Sequence, residues 1–161
     1  MEEKIFLLYT DNPAQTKRLG AFLGEAGRSG IVVCLEGELG AGKTTLTQGM
    51  AAFLHCNSAS SPTFNLMNVY EGDVSIYHFD LYRLNSEDDL YEIGFYEYVQ
   101  ENGEIIIIEW PDRFSDALPE DNLYIRMCEQ KDGRRKITVT LNGMKYQKQY
   151  EELKYLCQSL R

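Results

Sequence analysis

Apolar residues along this chain fall into short blocks separated by polar and glycine-rich breaks, and the spacing within each block predicts an element. Leu19, Phe22, Leu23 and Ala26 recur on one helical face, in a helix that opens at Pro13 behind a capping Asp11 or Asn12 and stops at Gly27 and Gly30. Ile31 to Leu35 is an unbroken apolar run bounded by glycine, the pattern of a strand buried on both faces of a parallel sheet. Leu46, Met50, Phe53 and Leu54 mark the inner face of a second helix. Phe64 to Tyr70 and Val74 to Asp80 read as a hairpin around Gly72-Asp73, and an acidic helix is predicted from Asn85-Ser86 to about Gln100. Ile105 to Ile108 is a second buried strand that ends at Glu109 and is broken by Trp110-Pro111. Leu123 to Cys128 and Lys136 to Leu141 flank Asp132-Gly133 as a further hairpin. Tyr146, Tyr150, Leu153, Cys157 and Leu160 form the stripe of a C-terminal helix over about residues 143–161.

Between the first buried strand and the second helix stands Gly37-Glu38-Leu39-Gly40-Ala41-Gly42-Lys43-Thr44. In G-x-x-x-x-G-K-[ST] the glycines let backbone N–H groups curl around phosphates, the lysine reaches the β- and γ-oxygens, and the hydroxyl ligates magnesium. The helix that follows adds its positive N-terminal end. Four specified positions match by accident in roughly one such chain in 200; a strand before the loop and a helix after it turn the match into a site. The expected architecture is therefore α/β, one P-loop NTPase-like domain over residues 1–161, with a mainly parallel central sheet extended by antiparallel hairpins.

A chain of 161 residues with 43% hydrophobic and 25% charged residues suits one soluble core. No apolar run approaches the roughly 20 residues that cross a bilayer, and Met1-Glu2-Glu3-Lys4 does not open a signal sequence, so a cytoplasmic chain without a membrane partner is expected. With 25 acidic against 16 basic residues the net charge is −9, which disfavours a broad grip on nucleic acid and favours a protein partner. Cys34, Cys56, Cys128 and Cys157 lie far apart and read as reduced, structural thiols.

A P-loop enzyme needs an acid at a neighbouring strand end to manage the metal shell and the attacking water. Glu109 follows four isoleucines and is delivered to the rim of the sheet; Asp80 ends the alternating run from Val74 and reaches for the same rim, unless it is only a turn cap. Ser61-Pro62-Thr63 offers hydroxyls for a switch or an ordinary proline turn. His78 shares a strand face with Asp80 and reads more readily as a packing or hydrogen-bonding residue than as a base. Arg83 and Arg134 are candidates for phosphate or partner contact, or solvated arginines. Trp110 is core packing, a lid or a partner contact, and Tyr91, Tyr96 and Tyr98 lie on an acidic segment that reads as a solvated helix before a docking surface.

With these residues in view, the chain resembles the TsaE family of bacterial ATPases, which assist formation of threonylcarbamoyl-adenosine on tRNA. The resemblance rests on Leu35 to Thr45, Ser61-Pro62-Thr63-Phe64, His78-Phe79-Asp80-Leu81-Tyr82-Arg83 and Ile108-Glu109-Trp110-Pro111, in order, and spans about residues 5–140 with weaker matches at Thr16, Leu19-Gly20 and Gly133-Arg134. It implies ATP or ADP on Gly37, Glu38, Leu39, Gly40, Ala41, Gly42, Lys43, Thr44 and Thr45, with Trp110 and Arg134 nearby. It also implies magnesium organised by Thr44 and Glu109, and Asp80 in support of hydrolysis. Glu38 stands where the family usually carries aspartate. The partners implied are the TsaD and TsaB proteins, with tRNA met only through their complex. Two other functions remain open: a noncatalytic ATP-binding sensor or scaffold, and a small-molecule kinase, which the single basic residue between loop and Glu109, Arg83, disfavours.

Overall fold

The structure, a computed structural model, describes residues 4–57, 67–100 and 103–160. Its strands are β1 (Ile5–Thr10), β2 (Ile31–Glu36), β3 (Met67–Tyr70), β4 (Ile76–Asp80), β5 (Ile105–Glu109), β6 (Asn122–Glu129) and β7 (Arg135–Asn142). They form one sheet in the order β1-β7-β6-β2-β5-β4-β3. The four inner strands β6, β2, β5 and β4 run parallel, while β7 and β1 at one edge and β3 at the other join antiparallel. The expected sheet and both expected hairpins are thus present, although Phe64 and the Ser61-Pro62-Thr63 motif lie outside the described residues. Ile31 to Leu35 and Ile105 to Ile108 are fully buried, as unbroken apolar runs in the middle of a parallel sheet must be.

Helix α1 (Pro13–Ala26) crosses α2 (Lys43–Phe53), and α5 (Gln147–Leu156) packs on α1. The predicted C-terminal stripe is the buried face of α5: Tyr150 and Leu153 are inside, and Tyr150 meets Phe6 of β1 at 5.4 Å between ring centres. Gln149 ties the helix to the carbonyl of Gly30 at 2.9 Å. Among the described residues no helix is long and apolar enough to cross a membrane, and all four cysteines are free.

Two expectations change. The acidic helix is two short ones, α3 (Asp88–Glu92) and α4 (Phe95–Tyr98), because Gly94 turns left-handed at φ 76° between them. Their tyrosines meet other rings at a tilt, Tyr91 with Tyr96 at 4.6 Å and Tyr98 with Tyr77 at 4.7 Å between ring centres, while Tyr91 stays 70% exposed to water. Strand β1 has no counterpart in the sequence reading. Its apolar residues occupy both faces, and only pairing with β7 at the far end of the chain makes it a strand. At the start of α1 the cap is Asn12, whose side chain accepts from the Gln15 amide at 2.9 Å. Replacing Asn12 with alanine is expected to cost about 1 kcal/mol, a fall in melting temperature of roughly 2–4 °C, whereas Asp11→Ala changes it little; a thermal denaturation series reads both.

Candidate functional site: a phosphate loop and a strand-end acid

The loop after β2 turns into α2 at Gly42, whose φ of 106° is left-handed and open to glycine at little cost. The loop lies tight on β6, where a Cβ on Gly37 would stand 2.7 Å from the Met127 carbonyl. Ala41 N–H donates to Glu38 O at 3.0 Å, and Arg135 of β7 reaches across to donate to Gly40 O at 3.1 Å. The first amide of α2 to be bonded within the helix is that of Leu46, which donates to Gly42 O at 2.9 Å, so the amides before it are left for a ligand at the helix start. Lys43 opens that turn with a side chain only 7% exposed, while Thr44 beside it is exposed and Thr45 half-buried.

β4 and β5 are parallel with His78 opposite Ile107 and Asp80 opposite Glu109, so strand alternation places His78, Asp80 and Glu109 on one face. Glu109 Oε1 stands 3.8 Å from Lys43 Nζ, and His78 Nε2 is 2.6 Å from Glu109 Oε2. Burial pushes the Glu109 carboxyl up, but the hydrogen bond and charge of His78 together with the charge of Lys43 outweigh it and hold the group below the ordinary carboxylate value. Lys43 Nζ also sits over the Trp110 ring, 4.4 Å from its centre. Trp110 takes a left-handed backbone at φ 57°, a conformation that costs a bulky residue energy and turns the chain sharply after β5. The Tyr82 ring lies tilted against this indole, 4.8 Å between ring centres.

Of the residues singled out from sequence, Lys43, His78, Glu109 and Trp110 come together. Asp80 arrives at the same rim, but its carboxylate accepts from Tyr82 N–H at 3.1 Å and lies 4.0 Å from Arg83, capping the short turn Leu81–Arg83. Arg134 faces away: it pairs with Asp132 at 2.8 Å and lies over the Tyr9 ring at 4.5 Å. Its neighbour Arg135, which carries no motif of its own, faces the loop. Arg135 lines a notch of about 170 Å³ with Asn12, Thr16, Thr45 and Gly133. Between the loop and Trp110, a cleft of about 510 Å³ is lined by Glu36, Glu38, the 91% exposed Leu39, Trp110 and Arg126. Glu38 is exposed at the mouth of this cleft, where a longer acid is accommodated. Among the described residues no cluster of three or more His, Cys, Asp or Glu side chains is placed to hold a metal by itself, so a cation here would share a hydroxyl, a carboxylate and a ligand's own oxygens.

A parallel-centred α/β sheet whose central strand feeds a G-x-x-x-x-G-K-T loop and a helix defines a protein of the P-loop class. Residues 10–137 match the family model described as "Threonylcarbamoyl adenosine biosynthesis protein TsaE". The chain belongs to the TsaE family. It is 42% identical over 125 residues to the tRNA threonylcarbamoyladenosine biosynthesis protein TsaE of Treponema pallidum (strain Nichols), covering 77% of this chain and 92% of the relative. To the protein of the same description from Bacillus subtilis (strain 168) it is 37% identical over 146 residues, 89% of this chain and 90% of the relative. Among solved structures, that of YdiB from Bacillus subtilis superposes with a TM-score of 0.76 at 31% identity, covering 96% of this chain and 97% of the other.

Proposed function

We propose that the chain is a magnesium-dependent ATPase that assists the TsaB and TsaD proteins in threonylcarbamoyl modification of tRNA, in the cytoplasm and with tRNA met only through that complex. The observation that carries the reading is the pair Lys43–Glu109, a buried ammonium and an ionised carboxylate 3.8 Å apart at the N-terminus of α2. An ammonium held at that point is the cation a phosphate chain requires, and the helix start adds its amides. Thr44, exposed in the first turn, and Glu109 are the groups that would hold magnesium. Bound Mg-ATP would supply the electrophilic γ-phosphorus and the charge of the metal.

The remaining work falls to this chain's own residues. The notch beside Thr45 and Arg135 lies on the β7 side of the loop, away from Glu109 on β5, and so is the place for the nucleoside half. Glu109 stays ionised at neutral pH because its carboxyl is held low, and it can therefore orient water or accept a proton at Oε1. Trp110 and Tyr82 shield this edge from bulk water. Asp80 supports hydrolysis by fixing the turn that lays Tyr82 on Trp110.

Replacing Glu109 with alanine separates turnover from binding. Phosphate release is expected to fall by about 100-fold or more, while ATP still binds. A pathway that runs normally on the alanine chain would point to a sensor whose bound state alone acts on its partners.

A further inference from the structure

The two oxygens of the Glu109 carboxylate are treated differently. Oε1 faces Lys43, whereas Oε2 is held by His78 at 2.6 Å, with His78 12% and Glu109 17% exposed. An ionised carboxylate has no proton to give, so the imidazole is the donor, through Nε2. Among the described residues this is the one hydrogen bond His78 makes; its Nδ1 is buried and has no partner. A histidine kept for the strand's own stability would be satisfied at both nitrogens or exposed at one. Here the only polar contact is spent on the strand-end acid. The Tyr70 ring centre lies 6.2 Å from that of the imidazole; Ile107 is in register with His78 on β5, and Asn68, in register with it on β3, likewise carries a buried side-chain oxygen without a partner.

We propose that His78 is a positioning residue for hydrolysis: it fixes Oε2 of Glu109, so that the carboxylate presents Oε1 alone, in one orientation, to Lys43 and the loop mouth. A free glutamate side chain spreads over several rotamers, and one misplaced by about 1 Å loses much of its use as a metal or water ligand. An apolar residue at position 78 would fill the same space but leave a buried carboxylate oxygen without a donor. This role presupposes the ATPase reading above, in which Glu109 is the acid that organises magnesium and water.

The test compares His78→Phe, which keeps the ring volume without a donor, with His78→Gln, whose amide N–H can still reach Oε2, and with Glu109→Ala. Three quantities are read: kcat against KM for Mg-ATP, the magnesium concentration for half-maximal rate, and magnesium-free ADP binding followed by the fluorescence of Trp110, the single tryptophan. His78→Phe is expected to lower kcat about 10- to 100-fold and to raise the magnesium requirement, with magnesium-free ADP binding within about twofold of the unchanged chain because Lys43 and the loop are intact. His78→Gln is expected to restore most of kcat. If the phenylalanine chain does not fold, His78→Ala takes its place in the same comparison. The positioning role is overturned if Glu109→Ala is inactive while His78→Phe keeps kcat and magnesium dependence, or if a folded His78→Gln is no better than His78→Phe. Full hydrolysis by Glu109→Ala overturns the ATPase role of that acid, and the role of His78 with it.

Discussion

Lys43→Ala is expected to weaken ATP binding by roughly 10- to 150-fold, the equivalent of about 1.5–3 kcal/mol for hydrogen bonds to a charged group. The ammonium is 7% exposed and carries two attachments, the Glu109 carboxylate and the Trp110 ring. Both are contacts that phosphate oxygens can outcompete or share, since a phosphate chain offers more charge than one carboxylate. Binding is not expected to vanish, because the loop amides and the start of α2 persist. The fold is expected to survive, because His78 still satisfies Glu109. Lys43→Arg is not expected to rescue: a planar guanidinium is larger than an ammonium and does not fit between Glu109 and the indole face. Titration calorimetry of the three chains with ATP decides it, and affinity unchanged in the alanine chain would remove Lys43 from the phosphate site.

Gly49→Ala is expected to destabilise the protein by about 1–3 kcal/mol, lowering the melting temperature by roughly 2–12 °C, and Gly49→Leu is expected to prevent folding. The helices α1 and α2 meet backbone to backbone. A Cβ on Gly49 would strike the Lys17 carbonyl oxygen and stand 2.7 Å from Lys17 Cα; one on Gly20 would strike the Leu46 carbonyl oxygen and stand 2.9 Å from Met50 N. Neither obstacle is a side chain that can swing away. Because α2 also carries Lys43, Thr44 and Thr45, any retreat of the helix moves the phosphate loop, so nucleotide affinity should fall with stability in the alanine chain. A melting curve and affinity both unchanged would show that the crossing is looser than its backbone distances imply.

The difference between what was legible in the sequence and what was not follows the range of the interactions. Gly37 to Thr44 are consecutive, and their chemistry needs only the local strand, turn and helix, each of which has its own pattern. Glu109 was legible because four isoleucines announce the strand that delivers it. Its partner was not: His78 lies 31 residues away and meets Glu109 only because β4 is laid beside β5, a choice made by packing across the whole sheet. Arg134 and Arg135 show the same limit at closer range. Successive residues entering a strand point to opposite faces, and no local signal says which arginine faces the loop. Asp80 reached the expected rim, yet the amide of Tyr82 claims its side chain. Gly20 and Gly49 interrupt their helical stripes without a visible reason until the helices are crossed.

The central claim is that this chain holds Mg-ATP on the Lys43 loop and cleaves it with help from Glu109. The most direct test is phosphate release from ATP by the purified chain, with and without magnesium, alone and together with TsaB, TsaD and tRNA. Slow, magnesium-dependent release by the chain alone is expected, faster release with the partners, and none above background from Glu109→Ala. Release absent under every condition while ATP remains bound, or equal with and without Glu109, would contradict the claim.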